Sequence, residues 1–149
     1  MLKVQGIQGI ALDLDGVLTS YGEIQPAKEI ESWLNLCLEV WGEDRVFVLS
    51  NHLTQKRINY FSKHFKGLTI ILAKRKKPYP DGVQQILQRT NIHPKALLVV
   101  DDRLLTGILA AIITETSGCY ITRPLVSLTK RPILELFFIS LRKIERFFI

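Results

Sequence analysis

The segment Ile7-Gln8-Gly9-Ile10-Ala11-Leu12-Asp13-Leu14-Asp15-Gly16-Val17-Leu18-Thr19 runs from an apolar stretch into two carboxylates one residue apart. A short continuous apolar run predicts a buried strand, here Ile7–Asp13. Two carboxylates at the end of such a strand are costly. At about 4 Å and an effective dielectric near 20, like charges repel by roughly 4 kcal/mol. A bound divalent cation offsets a repulsion of this kind. Gly16 then lets the backbone turn sharply and leaves room for a ligand to approach.

Outward from this segment, apolar runs alternate with helical patterns. Ile30, Trp33, Leu34, Cys37, Leu38 and Trp41 fall at helical spacing and predict a helix over Pro26–Trp41, stopped by Gly42. Arg45–Ser50 predicts a second strand, and Thr54–Phe65 a second helix with Thr54 as its N-cap. Leu68–Ala73 predicts a third strand and Asp81–Thr90 a third helix. Ala96–Asp101 reads as a fourth strand, Leu104–Glu115 as a fourth helix and Gly118–Thr122 as a short fifth strand. Pro132–Phe148 reads as a closing helix. Strands alternating with helices predict an α/β fold, a three-layer sandwich around a parallel sheet. Ligands in such sheets sit at the carboxyl ends of the strands. Asp13, Ser50 and Asp101-Asp102 all fall at those ends, and Lys76 and Lys77 follow the third strand closely.

Composition narrows the partners. The 149 residues suggest one domain with a full core. Net charge is +6, which favours anionic partners such as phosphorylated metabolites or an anionic membrane surface. Nucleic acid is not expected, because the basic residues are not interleaved with stacking aromatics. Cys37 and Cys119 each sit in apolar surroundings and read as buried free thiols. No apolar run reaches the roughly 18 residues of a spanning helix, and Met1 to Gly6 lacks a signal-peptide core. A reduced cytoplasmic protein is the expectation, with peripheral association at the inner face of a membrane as its extension.

The residues at the sheet edge suit phosphoryl transfer, where catalysis is mostly positioning and charge neutralisation. Asp13 is a candidate carboxylate nucleophile, activated by a metal. Asp15 is placed to protonate a leaving oxygen. Ser50 and the Asn51 backbone offer hydrogen bonds to phosphoryl oxygens. Lys77 supplies positive charge, with Lys76 as the alternative. Asp101 and Asp102, with Asp13 and Asp15, make an oxygen-rich site for Mg²⁺. Arg103 either contacts the phosphate or its leaving group, or pairs with a neighbouring acid. His52 stands beside Ser50-Asn51, either touching substrate or exposed.

With these residues in order, the chain resembles the haloacid dehalogenase (HAD) phosphohydrolase superfamily. Asp13-Leu14-Asp15-Gly16 is similar to its first motif, Ser50 to the second, Lys77-Pro78 to the third and Val99-Val100-Asp101-Asp102 to the fourth. Gly6-Ile7-Gln8-Gly9, Tyr21-Gly22-Glu23, Lys76-Lys77-Pro78-Tyr79-Pro80 and Arg131-Pro132-Ile133-Leu134-Glu135 also resemble the YqeG-like branch, HAD subfamily IIIA. That branch is related to phosphatidylglycerophosphate phosphatases. The resemblance implies a capless or nearly capless Mg²⁺-dependent phosphatase. It implies an aspartyl-phosphate on Asp13 and Asp15 as general acid and base. Gly16, Asn51, Lys76 and Arg103 are expected near substrate, and the resemblance implies phosphatidylglycerophosphate as that substrate. A soluble sugar phosphate is the alternative substrate, and a degenerate phosphate-binding domain the alternative to an enzyme.

The chain departs from the branch at defined positions. The branch has Asn and Thr where Gly16 and Val17 stand, and Gly-Asp-Gln where Asp101-Asp102-Arg103 stands. It carries an acid where this chain has Gly107. Asp101 is expected to compensate for that acid. The branch also tends to carry a longer N-terminal segment; if that segment helps dock to membranes, this protein is expected to dock less well or differently. In the closing helix, Ile133, Phe137, Leu141, Ile144 and Phe148 form a stripe flanked by Arg142, Lys143 and Arg146. The stripe favours packing on the core or on a second copy over lying on an anionic membrane.

Overall fold

Five short apolar segments carry the sheet. In the computed structural model, which describes residues 6–126, 137 and 139–144, they are β1 (Gly9–Leu12), β2 (Val46–Val48), β3 (Leu68–Ile70), β4 (Leu97–Asp101) and β5 (Ser117–Tyr120). Every pairing is parallel, and the order is β3-β2-β1-β4-β5. The helices are α1 (Lys28–Trp41), α2 (Gln55–His64), α3 (Asp81–Thr90) and α4 (Leu109–Ile113). The α/β sandwich expected from the alternation is therefore present.

Strand alternation splits the core into two layers. Ile10, Leu12, Val46, Val48, Leu98 and Val100 pack against Leu34 and Cys37 of α1 and Phe61 of α2. The residues between them, Ala11, Phe47, Leu97 and Val99, pack against Val83 and Ile86 of α3 and Ala110 and Ala111 of α4. Each fully buried side chain of this kind contributes about 1.5–3 kcal/mol. A one-residue slip of β1 would exchange the two sets, so the pattern also fixes where Asp13 emerges.

The local signals mostly act as read. Thr54 caps α2 by accepting from the Arg57 N–H, and Gly42 closes α1 with its N–H on Leu38 O. One element differs in kind. The helix expected over Leu104–Glu115 begins instead as a π-helical turn, Leu104–Ile108, before α4. Wide turns of this type often mark functional sites, and this one follows the acidic end of β4. The closing helix expected over Pro132–Phe148 lies largely outside the described residues; residues 139–144 are helical. No helix among the described residues is long and apolar enough to cross a membrane.

Candidate active site

The strand order reverses between β1 and β4, and open α/β sheets bind ligands at such a switch point. Leu12 lies opposite Val100 in the register, and the Asp13 N–H donates to Val100 O at 3.0 Å. Asp13 and Asp101 therefore leave the sheet side by side. β2 delivers Ser50 and Asn51 next to them, and the loop after β3 brings Lys77.

Lys77 is the buried lysine, and Lys76 is exposed. Lys77 Nζ lies 2.5 Å from Asp101 Oδ2 and 3.1 Å from Asp13 Oδ1. Burial lowers its pKa, but the charges of Asp13 and Asp101 outweigh burial and leave it raised. Its backbone is clamped by the Asn51 side chain, which accepts from Lys77 N at 2.7 Å and donates to Lys77 O at 2.9 Å. Asn51, expected near substrate, thus spends its side chain on placing the lysine.

Asp13, Asp101 and Asp102 bring carboxylate oxygens within 4.8 Å of one another, all buried. Burial and the neighbouring Asp13 charge push Asp101 up to about 7, against the opposing pull of Lys77. Burial also raises Asp102, against the pull of Arg142. Asp102 Oδ1 is buried with no hydrogen-bond partner. Three buried hard-oxygen donors, with Asp102 Oδ1 left unsatisfied, fit a divalent cation such as Mg²⁺.

Asp15 and Gly16 stand apart from this group of three. Asp15, expected as a fourth metal-site carboxylate, is not in the group. Its side chain is held by Arg57, with Nη2 on Oδ1 at 2.5 Å and Nη1 on Oδ2 at 3.1 Å. Gly22 N adds a third bond to Oδ1 at 2.9 Å. Gly16, expected near substrate, makes room for Asp102 instead. A Cβ there would lie 2.5 Å from Asp102 Oδ2, and Gly16 also holds a left-handed φ of +87°.

A cleft of about 240 Å³ opens over these groups. Asp13, Asp15 and Lys77 line it, together with Ser50, Asn51, Lys76 and Arg103. His52 and Tyr21 form one wall, stacked 5.7 Å apart. Arg103 also donates its N–H to Asp101 Oδ1 at 2.9 Å. Of the expected site residues, Asp13, Asp15, Ser50, Asn51, Lys76, Lys77 and Arg103 line the cleft, whereas Asp101 and Asp102 are fully buried beside Asp13 and Gly16 is not part of its lining. The Cys37 thiol lies elsewhere, in the core; it is free, and burial pushes it up to about 11.

Two arginines were not foreseen. Arg57, 1% exposed, donates to Asp15, Thr19 Oγ1, Glu23 O and His52 O, so it ties the turn after β1 to the loop after β2. It precedes Phe61 by four residues on the buried face of α2, and that spacing is the signal for it. Arg57→Lys keeps the charge but loses the planar fork. It is expected to cost about 1–2 kcal/mol, measured by urea denaturation.

Arg142 is the second. Its Nη2 lies 2.5 Å from Asp102 Oδ2, while its buried Nε and Nη1 have no hydrogen-bond partner. Two idle buried donors mark a poorly satisfied contact. Arg142→Gln removes a positive charge from the acidic group, so Mg²⁺ is expected to bind about tenfold more tightly by isothermal titration calorimetry. Unchanged or weaker binding would show that Arg142 supports the shell rather than competing for it.

Comparisons with known proteins bear on the family and the fold. The model of the family described as mitochondrial PGP phosphatase matches residues 1–126. No curated protein sequence matches the chain. A haloacid dehalogenase-like family hydrolase from Streptococcus pneumoniae shares the fold at a TM-score of 0.58 and 14% identity, covering 91% of this chain and 99% of its own. A structure described as a predicted HAD-like family hydrolase from Porphyromonas gingivalis gives 0.57 and 12%, covering 90% and 98%. One described as a predicted phosphoglycolate phosphatase from Haemophilus somnus gives 0.55 and 13%, covering 81% and 88%.

Proposed function

The chain belongs to the mitochondrial PGP phosphatase family, and from that premise we propose that it hydrolyses phosphatidylglycerophosphate through an aspartyl-phosphate on Asp13, with Mg²⁺ as cofactor. The observation that carries this reading is the buried contact of Lys77 with Asp13 and Asp101, set beside Asp102 at the switch point. The YqeG-like motifs accord with it.

An Asp13 oxygen attacks phosphorus, and the bond to the substrate's alcohol oxygen breaks. Asp15 gives that oxygen its proton. Water then attacks the phosphorus and passes a proton to Asp15, while the bond to Asp13 breaks and phosphate leaves. This role requires one Asp15 oxygen to leave the Arg57 fork and to carry the proton that the alcohol oxygen receives; within the fork both oxygens only accept hydrogen bonds, so the fork holds Asp15 in place as the acceptor. The Lys77 ammonium and the Ser50 hydroxyl face the phosphoryl oxygens. Asp13, Asp101 and Asp102 would hold the Mg²⁺, which supplies charge neutralisation at the phosphoryl group.

The cleft volume supports a small phosphorylated headgroup as the part that enters. The test is phosphate release from phosphatidylglycerophosphate in vesicles, a sugar phosphate and a nucleotide, each with and without Mg²⁺. Preference for the lipid is expected. A higher kcat/KM on the sugar phosphate would overturn the substrate. No release from any ester would favour the phosphate-binding domain.

A further inference from the structure

A cleft of about 240 Å³ has no space for two acyl chains. If the substrate is a lipid, its chains stay outside, and the rim of the cleft must face whatever holds them. The rim is unusual in that respect. Leu72, two residues beyond β3, is 63% exposed; Tyr79 is 54% exposed; and Leu105, on the π-turn beyond β4, is 59% exposed. Leu72, Lys74, Lys76 and Tyr79 line a second hollow of about 220 Å³. That hollow shares Ser50, Asn51, Lys76 and Lys77 with the catalytic cleft. Leu105 stands between Arg103 and Thr106, which line the cleft on its other side. Large apolar side chains thus flank the cleft, and exposed Lys74, Arg75 and Lys76 lie among them. Arg75 is already committed, paired with Asp81 at 2.9 Å and lying 4.4 Å over the Tyr79 ring. That leaves Tyr79 as an amphipathic ring beside a cation, the type of side chain that settles at a bilayer interface.

We propose that this rim, Leu72, Lys74, Lys76, Tyr79 and Leu105, is a docking surface for an anionic lipid bilayer, placed so that a phosphomonoester headgroup enters the cleft while its acyl chains remain in the membrane. The proposal rests on the phosphatase reading of the cleft. Exposed leucines beside lysines suit a surface that is apolar below and anionic above, and the charge is attractive in both near and far field. Docking here needs no spanning helix.

Sedimentation of the full chain with vesicles tests it. Vesicles of phosphatidylcholine alone are compared with equal parts phosphatidylcholine and phosphatidylglycerol, at low and high salt. The wild type is expected to bind the anionic vesicles in a salt-sensitive way. Leu72→Ser with Leu105→Ser, and separately Lys74→Glu, are expected to weaken that binding by roughly fivefold or more. Their rates on p-nitrophenyl phosphate are expected to stay unchanged, which also shows that the variants fold. Wild-type affinity in these variants would overturn the proposal. So would loss of binding only on changing Phe137 and Ile144, the exposed apolar residues of the 139–144 region and its neighbour. Rim-dependent binding without hydrolysis of any ester would sustain the docking surface and overturn the enzymatic reading. Hydrolysis of the soluble ester without vesicle binding would do the reverse.

Discussion

Asp13→Asn is expected to lower phosphate release by at least about four orders of magnitude while leaving the Tm within a few degrees of wild type. The amide has the shape of the carboxylate but is a far poorer nucleophile, so the first chemical step fails. Stability should change little because two effects oppose each other. The substitution removes one charge beside Lys77, but Lys77 keeps Asp101 at 2.5 Å. It also relieves repulsion within the group of Asp13, Asp101 and Asp102. Phosphate release and thermal denaturation on the same preparation check both halves. A near-wild-type rate would remove Asp13 as the nucleophile. A large loss of Tm would mean that its carboxylate is structural, and that the rate effect says nothing about chemistry.

What was legible in the sequence, and what was not, divides by the range of the interaction. The strand leading to Asp13 and the helices on either side follow from patterns within a few residues, so they could be read directly. The gathering of Ser50, Lys77 and Asp101 near Asp13 followed from one further rule, that ligands sit beyond the carboxyl ends of parallel strands. The Arg57 fork did not follow, because Asp15 and Arg57 are 42 residues apart and lie on different elements. A single arginine on an otherwise apolar helix face was the available sign. Arg142 had no such sign, since the stripe of its helix reads the same whether it packs on the core, a second copy or a membrane. The π-turn was hidden for another reason. Leu104-Leu105-Thr106-Gly107-Ile108 is an acceptable helical sequence, and its widening tracks the carboxylate that Gly107 must accommodate.

That accommodation explains the reversed pattern of the fourth motif. A Cβ on Gly107 would lie 2.0 Å from Asp101 Oδ2 and 2.2 Å from its Cγ. The Asp101 carboxylate therefore occupies the space a side chain at position 107 would enter. The resemblance read from the sequence implies a branch pattern with glycine at the first position and an acid at the second. Here the two have changed places, so a single carboxylate reaches the group from the strand end instead of from the turn. Gly107→Asp alone should then place two carboxylates in one buried space. Overpacking and an unpaired buried charge together are expected to cost roughly 3 kcal/mol or more, a fall in Tm of roughly 6–12 °C. Asp101→Gly alone should leave Lys77 with Asp13 only and weaken Mg²⁺ binding. The double variant, Asp101→Gly with Gly107→Asp, removes the overlap and restores one carboxylate near Lys77. It is expected to recover most of the Tm and of the Mg²⁺ affinity measured calorimetrically, a coupling far from additive. Losses that simply add in the double variant would show that the two positions do not share one carboxylate site.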